Sequence, residues 1–367
     1  MKRIALLGLA VMTVAMSYAQ RISGTWKGML NAGNQKLEIV FHFDPSKDGG
    51  GAATMDVPAQ SAMGIPVRLN LLSADSVSLD VLALLMEYTG KLNNGVITGT
   101  FRQFGVAFPL ELKAGDAGKP NRPQEPESPL GYKTEEVTFT NQKAHVSLAG
   151  TLTYPVNNTP DKKVPVVIMV TGSGAQNRDE EVFAHKPFRV IADYLAKQGI
   201  ASLRYDDRGV GQSTGNQAGC TSADFAEDAA CGLSWLKSSG KFNQVGILGH
   251  SEGGLIAFML GAEGKADFLV SMAGPGIKGD SLLVEQQNAL FKLKGIPSNV
   301  SVSTLRKSMA TQPGNVWLEY FMDYDPRPDL ERITIPVMAV NGSNDMQVLS
   351  DSNISAIRNC LSGKNSK

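Results

Sequence analysis

At 367 residues, 42% hydrophobic and 19% charged, the chain has length for two globular units and apolar content for a proper core in each. Lysine plus arginine equals aspartate plus glutamate at 35 each, so no net field favours nucleic acid or an anionic membrane surface, and both are excluded as partners. Three cysteines, Cys220, Cys231 and Cys360, are too few for a disulfide framework.

The chain starts with Met1-Lys2-Arg3, a short apolar run over 4–16 and the small residues of Ser17-Tyr18-Ala19, the pattern of a secretory signal cleaved after Ala19. The run is shorter than the ~20 residues a spanning helix needs. The expectation is an exported protein, periplasmic or secreted, with no membrane span in its mature form. From 20 to 113, short alternating segments such as 24–28, 37–43, 76–79 and 96–101 are broken at Asp48-Gly49-Gly50-Gly51 and Asn93-Asn94-Gly95. They predict a small antiparallel barrel or sandwich. His42 falls inside a strand with no second ligand at metal spacing and reads as a surface or packed histidine. The apolar stretch 81–86 fits a strand or a short helix equally, because periodicity does not separate the two. A linker over 114–132 follows, stiffened by Pro120, Pro123, Pro126 and Pro129.

A second unit, 133–367, begins with an antiparallel pair at 137–140 and 146–154. Near-continuous apolar strands then alternate with helices: strand 164–170, helix 187–198, strand 200–205, helix 222–237, an apolar strand ending near Leu248, then strands 268–273 and 335–341. That alternation predicts an α/β unit with a mostly parallel, doubly wound sheet covered on both faces, its chemistry beyond the carboxyl ends of the strands. The helix at 222–237 would separate Cys220 from Cys231 by roughly 15 Å of rise. Bridging needs alpha carbons within about 7 Å, so the two are expected unpaired.

The stretch 244–258, QVGILGHSEGGLIAF, reads as strand, sharp turn and helix with Ser251 at the apex. This is the GxSxG nucleophile elbow in its required context. Asp206, Asp207 and Arg208 are expected to form a salt-bridged turn beneath it. Four stretches together, Thr171-Gly172-Ser173-Gly174, residues 204–213, Gly249 to Gly254 and residues 341–348, make the second unit similar to an α/β-hydrolase of the dienelactone-hydrolase-like or serine-aminopeptidase-like esterase type found in exported bacterial proteins. The resemblance, with its β domain in front, extends across nearly the whole mature chain.

That resemblance implies a serine hydrolase of small-molecule acyl esters, without cofactor or metal. Ser251 would be the nucleophile, the backbone amides of Glu252 and Ser173 the oxyanion donors, and Asp345 the triad acid. His185 could contact substrate, and His250 is expected to pack in the elbow. The chain order is Ser, acid, then His, yet His42, His145, His185 and His250 all precede Asp345. The expectation is therefore a C-terminally truncated hydrolase, without the last strand, its histidine loop and the final helix, and of low activity as it stands. Residues 275–332 form an insertion with helices at 282–294 and 302–310 and an aromatic cluster of Trp317, Tyr320, Phe321 and Tyr324, a cap over the site or an extra packing layer. Two alternatives stay open: a non-catalytic binding protein whose β domain contacts a glycan or the cell envelope, and a peptidase or amidase of the same fold.

Overall fold

The computed structural model describes residues 22–32, 35–45, 51–60, 62–103, 105–115, 122–159, 161–182, 185–293, 295–297, 299–309 and 314–362. The expected signal segment lies outside the described residues. The chain divides into two compact units, Met1–Arg122 and Pro123–Lys367.

In the first unit eight antiparallel strands close into a barrel: β1 (Gly24–Ala32), β2 (Gln35–Pro45), β3 (Gly51–Val57), β4 (Ala62–Leu72), β5 (Ser76–Val81), β6 (Met86–Asn93), β7 (Val96–Gln103) and β8 (Val106–Ala114), with β8 returning to pair with β1. Alternation along the strands drives closure. Ile39, Phe41 and Phe43, then Val77, Leu79 and Val81, then Met86 and Tyr88 all face inward and are buried. Each such large side chain contributes roughly 1.5–3 kcal/mol on leaving water. The interior is filled by Trp26, Phe41 and Tyr88, and the Tyr88 hydroxyl donates to the Leu110 carbonyl at 3.1 Å. The ambiguous stretch 81–86 is neither one strand nor one helix. It ends β5, makes a single 3-10 turn at Leu82–Leu84, and turns back into β6 at Leu85, whose φ is +49°. His42 is held by its barrel neighbours, Nε2 against Asp56 Oδ2 at 2.7 Å and Nδ1 against Thr25 Oγ1 at 3.0 Å.

The second unit is built on a seven-stranded sheet in the order β15-β14-β13-β11-β12-β10-β9. Its strands are β9 (Thr134–Asn141), β10 (Val146–Thr153), β11 (Val164–Val170), β12 (Ala201–Tyr205), β13 (Phe242–His250), β14 (Leu269–Met272) and β15 (Val337–Val340). The pair β9–β10 and the β10–β12 contact are antiparallel, and from β12 onward all neighbours are parallel. The helices are α1 (Pro187–Lys197), α2 (Ser222–Ser238), α3 (Glu252–Ala262), α4 (Gly279–Leu293), α5 (Val302–Met309), α6 (Val316–Asp323), α7 (Arg327–Leu330) and α8 (Ser350–Leu361). Every residue of β11 but Pro165 is buried, as a central parallel strand covered on both faces requires. The helix α3 is buried over Glu252 to Gly261, on all its sides, because it runs from the elbow between the sheet, α2 and α7. The strand β15 is different. It lies at the sheet edge, with Met338 59% and Val340 40% exposed. All three cysteines are free, Cys220 and Cys231 among them, and among the described residues no helix is long and apolar enough to cross a membrane.

Candidate active site

The elbow forms where β13 delivers its last residue, His250, and α3 starts at Glu252. Between them Ser251 has φ +51° and ψ −117°, a conformation that costs a non-glycine residue on the order of 1–3 kcal/mol. The surroundings impose it. Ser251 N–H donates to Met272 O at 2.9 Å, and the Ser251 carbonyl accepts from Gly254 N–H at 2.9 Å. The turn is too tight for a side chain at the position two before the serine: a Cβ on Gly249 would lie 1.9 Å from the Gly253 carbonyl oxygen. The hydroxyl therefore stands at the carboxyl edge of the sheet, at the N-terminus of α3, where a developing negative charge is favoured.

Across from it runs the loop Thr171 to Gln176, after β11. Two carboxylates fasten it. Glu180 Oε1 accepts the Gly172 N–H at 2.7 Å, and Asp207 accepts from Thr171 Oγ1 at 2.9 Å and from Gln176 N–H at 2.9 Å. Between the fastened amides, the Ser173 N–H has no acceptor among the described residues, and neither has the Glu252 N–H at the start of α3. The Cα of Gly172 comes so near Ser251 that a Cβ there would be 3.3 Å from the serine Cβ. Ser173, Ser251 and Glu252 are thus brought to one place, with amides that a developing oxyanion could use.

Asp345 sits in the loop between β15 and α8. Its Oδ1 accepts from Gln347 N–H at 2.8 Å and Val348 N–H at 3.0 Å, while Oδ2 has no partner among the described residues. Its charge reaches His250, whose pKa is raised, first by the hydrogen bond to Glu180 and then by the charges of Glu180 and Asp345, against a desolvation that lowers it. His250 Nδ1 is 2.8 Å from Glu180 Oε1, and because a carboxylate only accepts, Nδ1 carries the proton. His185 is placed before α1, its backbone bridged to Val182 through N–H to carbonyl contacts of 2.9 and 3.1 Å.

The turn after β12 is salt-bridged, as expected, at Asp206 and Arg208. Asp206 is paired with Arg178 at 2.7 Å and Arg208 with Asp228 at 2.7 Å, partners from other parts of the chain. Asp207 pairs with no cation among the described residues; it braces the loop opposite Ser251, and burial, aided by the charges of Glu252 and Glu180, pushes its pKa up to about 7. Sequence reading also missed Glu180 and the environment of the Glu252 side chain. That carboxylate is buried, its Oε1 accepting from Ser222 Oγ at 2.5 Å and from Trp317 Nε1 at 2.7 Å. The insertion carrying Trp317 is itself tied together by Arg306, which bonds Asp280 at 2.6 Å and Asp323 at 2.8 Å. A cavity of about 830 Å³ runs along α2 and α3 past Trp235, Tyr320 and Tyr324, but neither Ser173, Ser251 nor Asp345 lines it, so its size says nothing about the chemistry.

A strand-turn-helix serine on a doubly wound, mostly parallel sheet gives the second unit the α/β-hydrolase fold. Residues 186–311, which include the elbow, match the family model "Serine aminopeptidase, S33". Over 231 residues the chain is 31% identical to Esterase EstD of Thermotoga maritima, covering 60% of this chain and 54% of that one. It therefore spans about half the length of that relative. An acyl transferase of Photorhabdus luminescens is 25% identical over 232 residues, 61% of this chain and 70% of that one. Among solved structures, an esterase of Pyrococcus furiosus aligns with a TM-score of 0.48 at 19% identity, covering 64% of this chain and 80% of that one.

Proposed function

We propose that the second unit cleaves small carboxylic esters through an acyl-enzyme on Ser251. The single observation that carries this is the strained, over-determined backbone of Ser251, with the Gly172–Ser173 loop so close that a Cβ on Gly172 would lie 3.3 Å from that of Ser251. Ser251 Oγ attacks the acyl carbon as its proton passes to a base, and the tetrahedral oxyanion accepts from the Ser173 and Glu252 amides. Collapse expels the alcohol, which takes up that proton, and water then releases the acid by the same steps in reverse order. Asp345 is the acid, with its Oδ2 free to orient an imidazole.

No such imidazole is supplied by the four histidines: His42 belongs to the barrel and His250 gives its Nδ1 proton to Glu180, while His145 lies in the β9–β10 turn. His185 precedes α1, and its part here is a substrate contact. The base in this proposal is an imidazole set beside Asp345 Oδ2. Export to the periplasm or beyond, on the strength of residues 1–19, belongs to the same proposal. The matching family's description favours one alternative, a peptidase or amidase working through the same Ser251.

The test is chemical rescue. The 367-residue protein should hydrolyse nitrophenyl acetate slowly and faster with added imidazole, by about tenfold or more, the gain vanishing in Ser251→Ala. An imidazole effect equal in protein and variant contradicts the proposal. Anilide analogues cleaved faster than esters would move the reading to the amidase.

A further inference from the structure

We infer that Glu180 is a positioning residue for the chemistry at Ser251, one carboxylate oxygen holding the oxyanion loop and the nucleophile elbow in register. The inference rests on the serine-hydrolase reading above and adds a residue to it. Glu180 Oε1 meets the Gly172 N–H at 2.7 Å and His250 Nδ1 at 2.8 Å. Gly172 immediately precedes Ser173, and His250 immediately precedes Ser251. A single atom therefore fixes the peptide leading into one oxyanion donor and the residue leading into the nucleophile.

Three further features fit this role. The Glu180 side chain is 5% exposed, and its one ionic partner among the described residues is His250, so its burial is an expense that a purely structural carboxylate would ordinarily avoid. Its backbone is left-handed, φ +52°, which is unfavourable for glutamate and turns the side chain back under the loop, while its own N–H is held by Asn177 O at 2.8 Å. The fit is tight as well: a Cβ on Gly172 would stand 3.4 Å from both Glu180 Oε1 and His250 Nδ1, so no water layer separates the three groups. With the carboxylate removed, the Thr171–Gly172 peptide whose N–H it held can rotate, and the Ser173 amide, one peptide further on, loses its aim at a charge that exists only in the transition state. Such a loss lowers kcat and leaves KM alone.

The test compares Glu180→Ala, Glu180→Gln and His250→Phe with the unaltered protein in imidazole buffer, reading kcat and KM for nitrophenyl acetate and the melting temperature. Glu180→Ala should lower kcat about 100-fold, the scale of one lost or misaimed oxyanion donor, with KM within about twofold. Glu180→Gln keeps a carbonyl oxygen for the Gly172 amide and should recover about tenfold of that loss. His250→Phe, which removes the other arm, should lower kcat about tenfold and serves if the alanine variant does not fold. Unchanged kcat in Glu180→Ala, or in His250→Phe where the former is insoluble, overturns the inference, as does a glutamine variant no better than the alanine one. An unaltered protein that imidazole does not activate overturns instead the hydrolase reading beneath it.

Discussion

Trp317 donates its indole N–H to Glu252 Oε1 at 2.7 Å, which pins α6 to the residue that follows Ser251. The backbone amide of Glu252 is the proposed oxyanion donor, and its side chain is anchored from two sides, by Trp317 on α6 and Ser222 at the start of α2. The insertion therefore touches the site through a hydrogen bond to the elbow itself.

Trp317→Phe keeps the ring stacked on Phe321, 5.3 Å away between centroids, but deletes the donor. The buried carboxylate retains Ser222 alone, and the loss of one charge-assisted bond should destabilise the second unit by about 1.5–3 kcal/mol. Chemical denaturation measures it. A change below a few tenths of a kcal/mol would mean that the insertion is not energetically coupled to the elbow.

Gly249 has no room for a methyl group. Gly249→Ala puts Cβ 1.9 Å from a backbone carbonyl that cannot swing away, because the Gly253 peptide belongs to the first turn of α3. Overpacking against backbone should cost about 3 kcal/mol or more and prevent folding of the second unit. Loss of its melting transition is the expected result, with the barrel retained if it melts independently.

Asp207 gives a pH signature. Its carboxyl is raised from 3.8 to about 7 by burial, so the stability it contributes is fully present below pH 4, where both folded and unfolded forms are protonated, and is lost as pH rises through 7. Across that window the second unit should lose about 1 kcal/mol per pH unit from this group. Asp207→Asn removes the slope while keeping a carbonyl oxygen for the Gln176 N–H, its NH2 turned to the Thr171 hydroxyl oxygen. Equal pH dependence of unfolding in both proteins would contradict it.

The elbow was legible because everything it needs is within six residues of Ser251: an apolar strand, glycines flanking the turn, and a helix. Regular elements were legible for the same reason, α2 starting at Ser222 as the spacing predicts and ending one residue past the predicted 237. Local sequence failed at 81–86, where the outcome hangs on one left-handed residue, Leu85, of a type that gives no hint of it. Glu180 was invisible for a different reason. Its partners are eight and seventy residues away, joined only when β11 and β13 lie side by side, and an acidic residue in an Arg-Asp-Glu-Glu run reads as solvated surface. The turn at Asp206, Asp207 and Arg208 was legible as salt-bridged, but its partners Arg178 and Asp228 lie 28 and 20 residues away and are brought in only by the fold.

The central claim is that Ser251 is the nucleophile, and covalent labelling tests it most directly. Incubation with a fluorophosphonate in imidazole buffer, followed by peptide mass mapping, should add one phosphonyl group to the peptide containing Ser251 and none to the Ser251→Ala protein. A folded protein that stays unlabelled under those conditions, or one labelled at another residue, would contradict it.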